Sequence, residues 1–350
     1  MGGIKLKILL FSDVHWSTYT SIVRTRGAKY STRLEYLIKS LNWTNKFAVD
    51  QNCSMMICAG DFFDKAIITD EEATALKDIT WNNLPKYFLC GNHESSVNDL
   101  RFNALKVLEE KDSHIISSTG QCLNISNICN ICFLPYITET NRHNLKEYLP
   151  TNIDPHHLIV ISHNDIAGIN YGGFVSKSGF SVEEIEHNCE LFFNGHLHNS
   201  AWISNKVLNL GSMTAHNFTN DSFKYEYGVW IFDTDTFRLT FFENPFSLNF
   251  YQLEALNEAD LDKDWKLKNN AVLSIKCSDL LVSNTLEKLK NYNIIDKRFI
   301  VETSKATLEE ASPDIQLDTK NNYLQQLIDY CNKQLEHTQI LEEELTQICQ

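Results

Sequence analysis

Five times in its first two hundred residues this chain runs a short apolar stretch into a turn and then into a polar cluster. Residues 7–11 lead to Asp13-Val14-His15, residues 55–58 to Gly60-Asp61-Phe62-Phe63-Asp64, and residues 87–90 to Gly91-Asn92-His93-Glu94. Further on, residues 158–161 lead to a lone His163, and residues 191–193 to Gly195-His196-Leu197-His198. Apolar runs of this length, closed by turn residues, read as buried strands. Helical periodicity is expected between them, at 32–50, 97–110 and 181–187, so the chain reads as an α/β protein. In open α/β sheets ligands bind beyond the carboxyl ends of the strands, which brings the five clusters to one rim.

Those clusters hold the residue types that a pair of divalent metals needs. Two cations roughly 3.5–4 Å apart require one ligand that bridges them, with hard oxygens and neutral imidazoles on either side. Asp61 is the natural bridge. Asp13, His15 and His198 complete one site, and Asn92, His163 and His196 the other, leaving positions for water or substrate oxygens. His196 and His198 reach one metal pair together because residues i and i+2 of an extended chain project to the same side. Taken singly, an Asp-x-His or His-x-His is common, and a lone His is more often a hydrogen-bonded core residue. The convergence of all five on strand ends is what carries the assignment.

Together these segments resemble the calcineurin-like binuclear metallophosphoesterases, and within them the SbcD-type nucleases, the bacterial and phage counterparts of the Mre-type double-strand-break repair nucleases. The resemblance rests on the Gly60 to Asp64 and Gly91 to Ser95 motifs, the spacing to His163, and Asn209-Leu210-Gly211-Ser212 after the His196-Leu197-His198 turn. It spans about residues 4–250. It implies a four-layer αββα sandwich with a small C-terminal α+β cap domain and a terminal helix. It also implies hydrolysis of DNA phosphodiesters by exonuclease and endonuclease action, with an SbcC-type ATPase as partner in DNA end processing, repair or recombination, and a homodimer. By the same resemblance His93 contacts the phosphate and protonates the leaving oxygen. Asp64 orients a ligand or fixes its loop. Manganese suits the mixed oxygen and nitrogen set, with magnesium, iron and zinc as alternatives. Two positions depart from the family pattern: Ser17 stands where a Gly often follows the first cluster, and Glu94 replaces the more usual Asp.

A length of 350 residues with 43% apolar content accommodates about two domains and a sizeable core. The apolar stretch near the N-terminus is too short for a secretory segment, and no stretch reaches the length of a membrane span. A cytoplasmic protein of a bacterial or phage-infected cell is therefore expected, with its ten cysteines reduced. Cys129 and Cys132 form a Cys-x-x-Cys pair without a second pair at zinc-finger spacing, Cys122 being the nearest other thiol. They read as buried strand residues, with redox or zinc use as the alternatives.

The net charge of −14 runs against a nucleic-acid partner, because phosphate neutralisation by Lys and Arg carries most of that affinity. The charge is uneven, however. From residue 251 onward there are 18 acids and 11 bases, whereas residues 16–34 hold Arg24, Arg26, Lys29 and Arg33 and no acid. That basic stretch beside the first cluster is either a DNA-backbone contact or ordinary solubilising charge.

Three parts are expected: a nuclease domain at 1–253, a DNA-capping domain at 254–304, and a linker with a C-terminal helix at 305–350. The first ends in a hairpin around Thr234-Asp235-Thr236 and a further strand, and acids and Asn over 254–264 predict a linker. Strand, helix and strand follow at 271–277, 280–292 and 298–303. In the last part Leu324, Ile328, Leu335 and Leu345 recur on one helical face, for docking on the ATPase or back onto the chain's own domain.

Two rival functions compete with the nuclease. Phosphatases of the resembled family place an Arg after the second Asp of the Gly-Asp motif and another after Gly-Asn-His-Glu. Lys65 and Ser95 stand there instead. The second rival is a scaffold without catalysis, against which the complete ligand set stands.

Overall fold

The alternation of strand β1 (Lys7–Phe11) sets up the layering, since successive side chains of a strand point to opposite faces. Leu9 and Phe11 join Leu34, Leu37 and Leu41 of helix α1 (Thr32–Asp50) in one core cluster, while Ile8 and Leu10 join a second. Helix α1 begins where Ser31 caps it, its hydroxyl accepting from the Leu34 N–H. The computed structural model that reveals this arrangement describes residues 6–94, 99–126, 129–171, 174–218 and 224–302.

Along the chain follow β2 (Met55–Cys58), α2 (Asp70–Ala75), β3 (Lys86–Leu89), β4 (Ser113–Ile116), β5 (Gln121–Ser126), β6 (Cys129–Leu134) and β7 (Leu158–Ser162). Four two-residue strands come next, β8 (Ile166–Ala167), β9 (Asn170–Tyr171), β10 (Phe174–Val175) and β11 (Phe180–Ser181), then α3 (Val182–Asn188). After β12 (Leu191–Asn194), β13 (Ala201–Trp202) and β14 (Val207–Asn209), the hairpin β15 (Gly228–Asp233) and β16 (Arg238–Glu243) turns at 234–236 as expected. The described chain closes with β17 (Asn249–Ala255), α4 (Glu258–Asp262), β18 (Ala271–Ser278), α5 (Val282–Leu289) and β19 (Ile294–Glu302).

These strands form a mixed α/β fold with two six-stranded sheets. One has the order β16-β15-β1-β2-β3-β4, the other β13-β14-β12-β7-β6-β5, and each contains four parallel strands, β1 to β4 running to the edge of the first and β14, β12, β7 and β6 at the centre of the second. Ile8, Leu10, Ile57 and Leu89 of the first sheet share a core cluster with Ile131, Phe133, Ile159, Ile161 and Phe193 of the second. Full burial of such side chains contributes about 1.5–3 kcal/mol each, which fixes the two sheets against one another. The opposite face of the second sheet, with Val160 and Phe192, packs with Ile185 of α3. A third sheet has the order β17-β18-β19.

Several expectations are corrected. Residues 254–264 are not a linker: Glu254 and Ala255 finish β17, and Asn257 and Asp260 cap α4 reciprocally, each side chain accepting from the other's backbone N–H. The polar residues that break the apolar pattern there are a helix start. Within 97–110 the described residues form only a short 3-10 turn, Ala104–Leu108. Cys122 and Cys132, expected reduced, are joined in a disulfide, because the β5–β6 register sets them directly opposite while Cys129 stays free and buried. The expected part at 305–350 lies outside the described residues. No helix among the described residues is long and apolar enough to cross a membrane.

Candidate metal centre

The loops beyond the strands keep the register of the strands themselves. Asp13 N–H donates to Gly60 O at 3.1 Å, His15 N–H to Asp61 O at 3.1 Å and Trp16 N–H to Phe62 O at 2.7 Å, so the loops after β1 and β2 run side by side. In the second sheet His163 N–H donates to Leu134 O and Gly195 N–H to Ser162 O. Asp13, His15, Asp61 and His196 all adopt left-handed backbone conformations, with φ of 51°, 47°, 48° and 75°. For an L-residue other than Gly that costs roughly 1–2 kcal/mol each, so more than half of the seven expected ligands sit on strained backbone. At Gly91 a side chain is impossible, since a Cβ there would overlap the Asp61 carboxylate.

The structure brings the seven residues together around Asp61. Asp61 Oδ2 lies 3.1 Å from His163 Nε2 and 3.9 Å from both His15 Nε2 and His93 Nε2. On one side His15 Nε2 and His198 Nε2 are 3.1 Å apart, at 4.0 and 3.9 Å from Asp13 Oδ1. On the other, Asn92 Oδ1 lies 3.2 Å from His163 Nε2 and 3.0 Å from His196 Nδ1.

This donor set fits two divalent cations. Asp13 Oδ1 is buried without a hydrogen-bond partner among the described residues, an orphaned acceptor of the kind a cation satisfies. Three imidazoles are held from behind by acceptors, His15 Nδ1 by Asp64 Oδ1 at 3.1 Å, His163 Nδ1 by Ala59 O at 2.7 Å and His196 Nε2 by Asp165 Oδ1 at 3.1 Å. In each neutral ring the outer nitrogen then carries the proton and the inner one offers a lone pair to the centre. Asp13, His15, His198 and Asp61 would hold one ion, and Asp61, Asn92, His163 and His196 the other.

Electrostatics follow the same geometry. Burial works to raise the Asp61 pKa, but the adjoining His163, then His15 and His93, hold it far below the usual carboxylate range. Burial opposes the His163 imidazolium, yet the Asp61 carboxylate outweighs it and pushes the pKa up to about 10. Asp165 is held low by its hydrogen bond to His196.

His93 stands at the edge of this group. Its Nδ1 donates to the Asp64 carbonyl at 2.7 Å, and its ring meets that of His15 edge-on with centroids 4.8 Å apart. That leaves Nε2 turned toward Asp61.

Three residues of the centre escape a reading of the sequence alone. Glu94, fully buried, accepts from the N–H groups of Phe63, Asp61 and Gly91 and so clamps two of the loops. Burial and the charge of Asp61 push its pKa up to about 8. Asp165 supports His196, and its place two residues beyond His163 is the signal that could have found it. His216 packs edge-on against both His15 and His198, with no local motif to announce it.

The basic stretch divides. Arg24, Arg26 and Lys29 are exposed, Arg26 pairing with Glu71 and Lys29 with Asp78. Arg33 is corrected: it is only 2% exposed, its guanidinium donating to Ala215 O, Val14 O and His216 Nδ1, so it is a buried brace that cannot touch DNA.

Among solved structures the chain is similar to an archaeal phosphodiesterase, at 13% identity and a TM-score of 0.36 over 68% of this chain and 99% of that one. A protein of Thermus thermophilus is 12% identical with a TM-score of 0.41, covering 69% and 99%. A calcineurin-like phosphoesterase of Bacillus subtilis is 10% identical with a TM-score of 0.32, covering 69% and 89%. No curated protein matches the chain. The calcineurin-like phosphoesterase pattern matches residues 6–200, more than half of the sequence and the part that carries all seven rim residues, and the chain belongs to that family.

Proposed function

We propose that this protein is an SbcD/Mre-type nuclease, hydrolysing DNA phosphodiesters in end processing, repair or recombination. The observation that carries the hydrolytic part is the convergence of Asp13, His15, Asn92, His163, His196 and His198 around a shared Asp61. Divalent metals held by these residues, manganese foremost, would supply charge neutralisation at the phosphoryl oxygens and a nucleophile at neutral pH. His93, oriented by the Asp64 carbonyl, presents Nε2 to protonate the leaving oxygen. Asp64 itself fixes the His15 ring.

Diester rather than monoester specificity is favoured at Lys65, which takes the place of a phosphate-gripping Arg and instead ion-pairs with the buried Glu72 at 3.5 Å. Arg24, Arg26 and Lys29 would track the DNA backbone. The four-layer sandwich is supported by the sharing of core clusters between α1, the two sheets and α3. A nuclease domain at 1–253, a cap at 254–304 and an ATPase-docking helix within 305–350 complete the reading, with a homodimer acting in the cytoplasm beside an SbcC-type ATPase. The apolar stripe of the C-terminal sequence supports the docking role.

The test is cleavage of labelled linear duplex, hairpin and single-stranded DNA with manganese, with and without an SbcC-type ATPase, beside a small phosphomonoester. Manganese-dependent DNA cleavage, extended to duplex ends by the ATPase, is expected. Turnover of the monoester with none of the DNA would replace the nuclease by a phosphatase.

A further inference from the structure

His196 is held in a different way from His163. The His163 side chain is fully buried, so packing fixes its ring, whereas that of His196 is 20% exposed and rides on left-handed backbone with φ of 75°. Its aim therefore depends on polar contacts. From behind, Asp165 Oδ1 receives Nε2 at 3.1 Å, which turns Nδ1 toward Asn92 Oδ1 at 3.0 Å.

Arg142 holds Asp165 in turn. Just past a 3-10 turn at Glu139–Asn141, the Arg142 side chain folds inward until only 6% of it is exposed. There it donates from Nη2 to Ile137 O at 3.0 Å, lies 5.3 Å from the centroid of the buried Phe180 ring, and ion-pairs with Asp165 Oδ2 at 3.6 Å. Glu139 pairs with Nη1 from the outer side. The Phe180 N–H closes the arrangement by donating to the Asp165 backbone carbonyl at 3.1 Å.

The two carboxylate oxygens of Asp165 thus meet different partners, Oδ1 the His196 ring and Oδ2 the guanidinium, and together these set the plane of the carboxylate. A guanidinium is costly to take out of water, and here the carboxylates it meets offset that cost. Asp64, which backs His15 on the other side of Asp61, has no Arg or Lys within ion-pair distance among the described residues. The two halves of the centre are braced unequally.

Resting on the two-cation reading of the same rim, we propose that Arg142 is a positioning residue for the cation held by Asp61, Asn92, His163 and His196, acting through Asp165 to aim His196 Nδ1. It touches neither the cation nor the substrate. Its removal loosens one site of the two, because the chain from Arg142 through Asp165 ends on a ligand that serves only that site.

The test is calorimetry of the full-length protein with manganese alone. Arg142→Met, which keeps an unbranched stem against Phe180, should weaken one of the two binding events about ten- to a hundred-fold, the usual effect of losing an outer partner of a metal ligand. The event affected should be the one that Asp165→Asn also weakens. Arg142→Lys, which returns the cation without the planar fork, should recover part of the loss. In the Asp165→Asn background Arg142→Met should cost little more, since both changes break the same chain. Losses that multiply in the double variant would mean Arg142 does not act through Asp165. Equal weakening of both events, or two unchanged events with a lower melting temperature, would leave Arg142 a structural residue and overturn the proposal. Failure of the unaltered protein to bind manganese would instead overturn the reading of the rim.

Discussion

His163 Nε2 and Asp61 Oδ2 lie 3.1 Å apart with both side chains almost wholly buried. Without a cation this is an ion pair, because Asp61 pushes the His163 pKa up to about 10. The folded value lies above the ordinary 6.5, so the pair's stabilisation is complete below about pH 6.5 and is lost as pH rises through about 10. A coordinating imidazole must be neutral, so cation binding at pH 7 has to expel that proton. Manganese titrations in buffers of different ionisation enthalpy should report release of about one proton from this site. Affinity should climb with pH toward 10, and His163→Ala should abolish this part of the release. Buffer-independent heats would show that His163 is already neutral or takes no part.

Replacing His93 by Ala should leave both manganese-binding events in place, since its Nδ1 is held by a backbone carbonyl and the seven other residues are untouched. Cleavage should fall by roughly 10²–10⁴-fold, the usual worth of a general acid. Loss of metal from the variant, read by elemental analysis, would move His93 into the ligand set.

Glu94→Gln tests the clamp. Both carboxylate oxygens accept backbone N–H groups, and an amide would turn a donor toward at least one of them. The unfolding free energy should drop by about 1–3 kcal/mol in chemical denaturation. Manganese affinity should weaken with it as the Asp61 loop shifts. A variant as stable as the parent would mean the loops are held by other bonds.

Changing Arg24, Arg26 and Lys29 together to Ala should lower the slope of log affinity for duplex DNA against log salt by roughly 0.9 for each phosphate that is no longer neutralised. Turnover of a small chromogenic diester should not change. An unaltered slope would leave these side chains to their partners Glu71 and Asp78. Arg33 is kept out of the set because its removal would strip a buried brace.

The features legible in the sequence are the local ones. The parallel strands, the α1 span and the β15–β16 hairpin follow from apolar runs and turn residues within a few positions of each other. The rim residues are legible because each follows a strand end. Arg33 looks like a surface residue in the sequence because its acceptors Ala215 and His216 lie more than 180 residues away, and charge alone says nothing of them. Glu94 hides its role for the same reason: its three donors are gathered by folding. At 254–264 the polar residues resemble a break, although Asn257 and Asp260 carry the spacing of a capping box.

The left-handed backbone at Asp13, His15, Asp61 and His196 has a consequence for anyone who evolves this protein toward heat tolerance. Glycine fits each of those four positions with less torsional cost than the residue present. At Asp61 that relief of roughly 1–2 kcal/mol is outweighed by the buried His163 it would strand, but at the partly exposed His196 a screen that scores only survival at high temperature will enrich Gly, and the winners will be well folded with one imidazole fewer for a cation. Library design should freeze these four codons and seek its gains elsewhere.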